Sequence, residues 1–263
     1  MTRQYRYLEV EVRDRIVTIT LDRPERRNVL THEMLQDLLD AFTTVGVGEA
    51  LGVILAANGS VFCAGHDFTE MLDRDLEDVR GLFALCSQVM QSMQEIPQPV
   101  IARVHALATG AGCQLVASAD LAVASNEASF CTPGGRGGLF CTTPLVAVGR
   151  SISQKHALEM GLSGDVFDAR TAAEWGLVNR VVPESELISA TDDLMRRVTR
   201  GSAASKGIGK RAFYTQMNMD QPSAYLYASE IMASASQHPD AQEQIRAFIE
   251  KREARWSTEI PSN

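Results

Sequence analysis

Two glycine-bearing turns are the places in this 263-residue chain where chemistry can be sited. The first is Phe62-Cys-Ala-Gly-His-Asp-Phe68, directly after a buried apolar run. The second is Ala108-Thr-Gly-Ala-Gly-Cys-Gln114, between the end of one strand pattern and the start of a helix pattern. Backbone N–H groups at a helix start have no partner within the helix and point at incoming negative charge. Turns of this kind therefore suit the stabilisation of an anion, although glycine turns are also common as plain structure. Gly110-Ala-Gly112 approaches a dinucleotide fingerprint, but the third glycine position holds Leu115, and no G-K-[ST] phosphate loop is present. The five cysteines (Cys63, Cys86, Cys113, Cys131, Cys141) form no C-x-x-C pair, and the five histidines lack paired ligand spacing. No metal is expected, and reduced thiols in a cytoplasmic protein are.

The elements that must hold these turns follow from the apolar pattern. Leu8–Arg13 and Ile16–Leu21 alternate about Asp14-Arg15 as a hairpin. Thr31 can cap a helix carrying Met34, Leu35, Leu38, Leu39 and Phe42 at helical spacing. Leu51–Ala57, Val100–Val104 and Leu121–Ala124 are expected as buried strands. Between them lie a long helix over Asp75–Ile96 and a short one from about Cys113 to Ala119. Strand and helix alternate, which specifies a sheet built through crossover helices. Beyond Pro144 the chain is mostly helical apart from Val178–Val182, ending in helices near Ser205–Met217, Pro222–Gln237 and Asp240–Arg252. An α/β core over residues 1–200 and a helical region over 201–263 are expected.

Composition sets the outer limits. Apolar residues are 45% and charged residues 22% of the chain, as in a globular protein. Twenty-five basic against 33 acidic side chains leave a net charge of −8, which argues against nucleic acid as a partner. No run reaches the ~18 apolar residues of a spanning helix, and no signal peptide is visible.

In register along almost the whole chain, the motifs resemble the crotonase, or enoyl-CoA hydratase/isomerase, superfamily. Leu21-Asp-Arg-Pro-Glu-Arg-Arg-Asn28 is similar to its N-terminal signature, and Phe62–Phe68 to its A-G-x-D turn. Val104–Gln114 with Ala119-Asp120 is similar to its glycine-rich strand–helix turn. Leu162-Ser-Gly164 with Ala172–Pro183 resembles a later stretch, and Phe248-Ile-Glu-Lys-Arg252 with Trp256 the closing helix. Gln114 together with Pro133-Gly134 to Cys141 looks closest to the branch called enoyl-CoA hydratase domain-containing protein 3. The resemblance implies a crotonase (ClpP/crotonase-like) α/β fold, with ββα units in the sheet core and a helical C-terminal extension. It implies trimers or pairs of trimers assembled through residues 201–263. The implied ligand is an acyl-CoA thioester, with coenzyme A entering as part of the substrate and no separate cofactor.

By motif position the backbone amides of His66 and Ala111 are the expected oxyanion donors, each worth about 3–4 kcal/mol in related acyl chemistry. Arg26, His66, Asp67, Phe68 and Lys251 are the positions expected to meet coenzyme A. Family hydratases pass protons through two glutamates, and those positions are Gln114 and Gly134 here. Neither side chain carries a proton at neutral pH, and losing one positioned acid or base costs about 10²–10⁴ in rate. Three readings stay open. One is an enzyme with other or no proton-transfer groups, such as a malonyl-type acyl-CoA decarboxylase in which Arg136 grips a second carboxylate. Another is a non-catalytic acyl-CoA-binding or interaction protein. The last is hydration or isomerisation through a substitute carboxylate, Asp67 or Glu70. Cys131 and Cys141 flank the vacated position, where packing thiols are the simpler account.

Overall fold

The computed structural model describes residues 4–257. The hairpin forms as expected: β1 (Leu8–Arg13) pairs antiparallel with β2 (Ile16–Leu21) through a turn in which Asp14 and Arg15 both take positive φ. Helix α1 (His32–Gly46) starts where the Thr31 hydroxyl accepts the Met34 N–H at 3.2 Å. Strand β3 (Gly52–Ala57) leads to α2 (Leu76–Glu95), capped by Asp75. Next come β4 (Val100–Val104), β5 (Ala108–Thr109), α3 (Ala111–Ser118), β6 (Leu121–Ser125) and β7 (Ser129–Cys131). The chain continues through α4 (Pro144–Ser151), α5 (Gln154–Ser163), β8 (Phe167–Asp168), α6 (Ala169–Trp175), β9 (Arg180–Val182) and α7 (Leu187–Thr199). It closes with α8 (Ala203–Gln216), α9 (Gln221–Ser236) and α10 (Pro239–Glu250).

The main sheet has strand order β1-β2-β3-β4-β6-β9 and is parallel throughout except for the β1–β2 hairpin. Side chains alternate between its faces, as the strand period requires. Val53, Leu55, Val100, Ala102, Ala122 and Ala124 join the large core, which also takes in residues of α1, α2 and α3. Ile54, Ile101 and Val123 point the other way, onto Leu187, Leu194 and Met195 of α7. Covering both faces is what makes these strands near-continuous apolar runs. A second, smaller sheet, β5-β7-β8, stands off the first.

Helix α8 is fastened to this core through polar contacts. Lys210 Nζ lies 2.7 Å from Asp120 Oδ2, and the Tyr214 hydroxyl donates to Asp120 Oδ1 at 2.8 Å. The other Asp120 contact, from the Val100 N–H at 2.7 Å, fixes the carboxylate at the entry to β4. Helices α9 and α10 pack on α8 and on each other.

The site where two glycine turns meet

Both glycine turns lie beyond the carboxyl ends of parallel strands, the first after β3 and the second after β4. In open α/β sheets that end is where ligands bind. A cleft of about 1020 Å³ opens at the other end of the sheet, lined by Arg15, Leu51 and Pro99 at the strand starts, and takes no part in this site.

The first turn is held from behind. Asn28, fully buried, accepts the Arg23 N–H and donates to the carbonyls of Asn58 and Val61, which ties the Arg-Pro segment to the exit of β3. The Leu30 N–H donates to Gly65 O at 2.7 Å and the Asp67 N–H to Leu30 O. The Thr109 N–H reaches Cys63 O at 3.0 Å and joins the two turns. The fit is close enough to need glycine. A Cβ at Gly112 would sit 2.2 Å from Cys63 O, and one at Gly65, where φ is +83°, would sit 3.3 Å from the Ala111 nitrogen. Ala111 is the first residue of α3, so its N–H has no acceptor within the helix. Neither the His66 nor the Ala111 amide donates to a protein acceptor among the described residues. Two unpaired N–H groups on abutting turns form an arrangement that can receive one anionic oxygen.

The His66 ring lies edge-on to Phe83 of α2, with centroids 5.1 Å apart. Burial pushes its pKa down to about 4, partly opposed by the nearby Leu30 backbone, and neither ring nitrogen finds a partner of good hydrogen-bond geometry. The imidazole is therefore neutral at pH 7. Asp67 and Glu70, the substitute carboxylates, are already engaged. Asp67 accepts from the Thr69 N–H and hydroxyl and from Arg26 at 3.1 Å, and Glu70 caps α1 through the His32 N–H at 2.7 Å. For Asp67 burial alone would raise the pKa, but the Thr69 and Arg26 bonds hold it below the usual carboxylate value. Its oxygens serve the turn rather than a ligand.

Gln114 lies one turn along α3 from Ala111, 4% exposed, with Oε1 unpartnered. Gly134 differs from a simple loss of a side chain. A Cβ there would lie 2.0 Å from Leu139 O and 2.9 Å from Cys141 Sγ, because residues 134–141 fold back on themselves. The Gly137 N–H bonds to Gly134 O, and the Gly134 N–H to Cys141 Sγ at 3.3 Å. Arg136 is exposed rather than turned into the site. It lies exposed against Asp165 at 3.6 Å, with its stem over Gly164. Burial raises the Cys131 and Cys141 thiols above their ordinary pKa, which keeps them protonated and inert. Of the positions expected at coenzyme A, Arg26 and exposed Phe68 flank the first turn. Lys251, at the end of α10, is joined to neither turn by any hydrogen bond or ion pair among the described residues. Sequence reasoning missed Asn28 as the clamp, because its positive φ and its burial are visible only in the structure. It also missed Thr132, fully buried with an unpartnered hydroxyl.

The enoyl-CoA hydratase/isomerase family model matches residues 11–259. The chain belongs to that family. It is 43% identical to "Enoyl-CoA hydratase domain-containing protein 3, mitochondrial" of Mus musculus over 246 residues, 93% of this chain and 82% of the mouse protein. A crystal structure of enoyl-CoA hydratase from Mycobacterium smegmatis superposes with TM-score 0.92 at 43% identity, covering 95% of this chain and 99% of that one. The crystal structure of human enoyl coenzyme A hydratase domain-containing protein 3 gives 0.91 at 40%, covering 95% and 100%. The fold of this family member is thus the crotonase fold, and the resemblance to the domain-containing protein 3 branch holds. The mouse protein is named as mitochondrial, which does not fit the purely cytoplasmic expectation. Among the described residues no helix is long and apolar enough to cross a membrane.

Proposed function

We propose that this protein binds an acyl-CoA thioester with its carbonyl oxygen between the His66 and Ala111 amides, stabilising the enolate form without the two-glutamate hydration chemistry. The single observation that carries this reading is the pair of unpaired amides on abutting turns. Coenzyme A enters as part of the substrate, with Arg26, Phe68 and Lys251 toward its polar portion and no other cofactor. Gln114, and the Leu139 carbonyl in the space beside Gly134, weigh against proton transfer by a glutamate pair. Arg136, paired outward with Asp165, weighs against a malonyl-type decarboxylase. Binding without turnover is the second reading, favoured by the same closure at Gly134. The region 201–263, of which residues 258–263 lie outside the described residues, is the proposed assembly region of a homotrimer or dimer of trimers.

The test separates the amides from the rest of the site. The infrared stretch of the thioester carbonyl in bound butyryl-CoA should move to lower wavenumber than in free butyryl-CoA. In Ala111→Pro it should return most of the way, because proline at the first helical position removes one N–H yet suits the helix. Crotonyl-CoA should not be hydrated at a hydratase rate. An unshifted carbonyl stretch in the bound ester, or rapid hydration, would overturn the proposal.

A further inference from the structure

Two lysines stand one turn apart on α8, and the fold treats them differently. Lys210 has an acceptor for each of its three hydrogens, since Nζ lies 2.7 Å from Asp120 Oδ2, from Met93 O and from Gln98 O. Lys206, four residues earlier and half-buried, donates only to the Arg200 carbonyl. Among the described residues it has no carboxylate partner. Burial first, and then the like charge of Arg200, hold its pKa below the ordinary lysine value. Arg200 offers no relief, because its own bond is to the Arg197 carbonyl. An ammonium withdrawn from water beside a second cation is left in need of an anion.

Lys206 lines the cleft of about 1020 Å³ at the strand-start end of the sheet. The hairpin, α1, the Pro97–Pro99 segment and the start of α8 enclose it. Gly207, next to Lys206, lies so close to Pro97 that a Cβ there would sit 2.6 Å from the Pro97 Cβ. That approach fixes the start of α8, and with it Lys206, at the cleft wall. The walls are mainly apolar, with Val10, Val17, Ala41, Val45, Leu51 and Pro97 among them. Arg15 also lines the cleft, held by two bonds to Glu49 O at 2.9 and 3.0 Å. Against these two cations stands one lining carboxylate among the described residues, the exposed Glu49. A cleft of this size, apolar with a few placed polar groups, has the form of a small-molecule site.

The occupant has to suit both the walls and the ammonium. A neutral apolar molecule would cover the walls and leave Lys206 beside Arg200. A small inorganic anion would meet Lys206 and leave the walls in water. A dicarboxylate or polyphosphate would press further charge against valine and proline side chains or against Glu49. One carboxylate on an aliphatic chain suits both, through a charge-assisted hydrogen bond at Nζ and burial of the chain. We propose that this cleft is a second binding site, for aliphatic monocarboxylates, with the head group on Lys206. It is independent of the acyl-CoA reading, because the two glycine turns lie at the opposite end of the strands.

The experiment is a calorimetric titration of the unmodified protein, Lys206→Met and Ala204→Trp with octanoate, octanol and acetate. The unliganded melting temperature of each protein is measured alongside. Lys206→Met keeps the stem and removes the charge, whereas Ala204→Trp fills the cleft from a lining position on α8. Octanoate should bind the unmodified protein about tenfold more tightly than octanol, the scale of one charge-assisted hydrogen bond, with acetate weakest. Lys206→Met should bring octanoate down to the level of octanol without lowering the melting temperature, and Ala204→Trp should abolish the binding of both. Saturating butyryl-CoA should leave the octanoate affinity unchanged. Equal affinity for octanoate and octanol, no binding of octanoate, or an affinity unmoved in both variants overturns the site. So does displacement of octanoate by butyryl-CoA, which would place the acid at the glycine turns. Should a variant fail to fold, the octanoate-to-octanol ratio and the butyryl-CoA competition on the unmodified protein decide the matter.

Discussion

His66 shows how burial sets the state of a residue at the centre of the site. Its pKa falls from 6.5 to about 4 because the ring is desolvated against Phe83. Between those values the unfolded chain holds a proton that the folded protein does not. Stability therefore falls as the pH drops through that window, and above about 6.5 the penalty is absent. Discounted for the ring's partial exposure, the effect is on the order of 2 kcal/mol. Denaturant midpoints from pH 7 to pH 4 should decline in the unmodified protein and flatten in His66→Leu. The imidazole resonances should show no titration above pH 5, and a midpoint near 6.5 would sink the assignment. His66 as a member of the first turn was legible from sequence, since the A-G-x-D pattern marks it. Its neutrality was not, because that depends on Phe83 of α2, a residue seventeen positions away in sequence. Gly134 teaches the same distinction. The missing glutamate is visible in the sequence, but the Leu139 carbonyl standing in its place is not. Putting glutamate back at this position would collide with backbone before it reached any substrate.

At the scale of elements, the strands of the main sheet were readable because a sheet covered on both faces writes itself as apolar runs, with the hairpin alternating at its edge. The short sheet of β5, β7 and β8 was not, since strands of two or three residues are too short for any period to emerge. The start of α3 was expected near Cys113 and falls at Ala111, two residues earlier. Glycine disfavours a helix interior, so Gly112 argued for a turn. Tertiary contact overrides that preference, because only a residue without Cβ lets α3 approach Cys63 O. This close approach is what brings the Ala111 amide beside the first turn. Gly112→Ala should therefore cost about 1–3 kcal/mol through overpacking and weaken butyryl-CoA binding together with the carbonyl shift. Urea denaturation and titration of the same sample check both. A variant with wild-type stability and affinity would mean the turns tolerate separation.

The whole molecule is a covered sheet with a helical extension whose outer surface is unlike that of the core. Within α9 no residue is buried, and Tyr225, Leu226 and Met232 stand exposed. Phe248 and Ile249 of α10 are also open, 79% and 73% exposed, beside Lys251 at the end of that helix. Large apolar groups at this density mark an interaction surface rather than a solvated face. The polar lock of Lys210 and Tyr214 on Asp120 explains how α8 can present this surface firmly. Burial lowers the Lys210 pKa and raises that of Asp120 despite their pairing, so the contact specifies position more than it adds stability. A second copy of the chain is the occupant expected from the assembly proposed for residues 201–263. Sedimentation equilibrium should give three or six times the chain mass. Leu226→Glu combined with Ile249→Glu should reduce it to the monomer, with the melting temperature of the core little changed, because neither side chain is buried within the chain. Should the assembly also carry Lys251 to a neighbouring site, the same double variant would weaken coenzyme A ester binding while leaving the carbonyl shift of the ester that still binds. Loss of affinity and loss of the shift together would instead place the damage inside the turns.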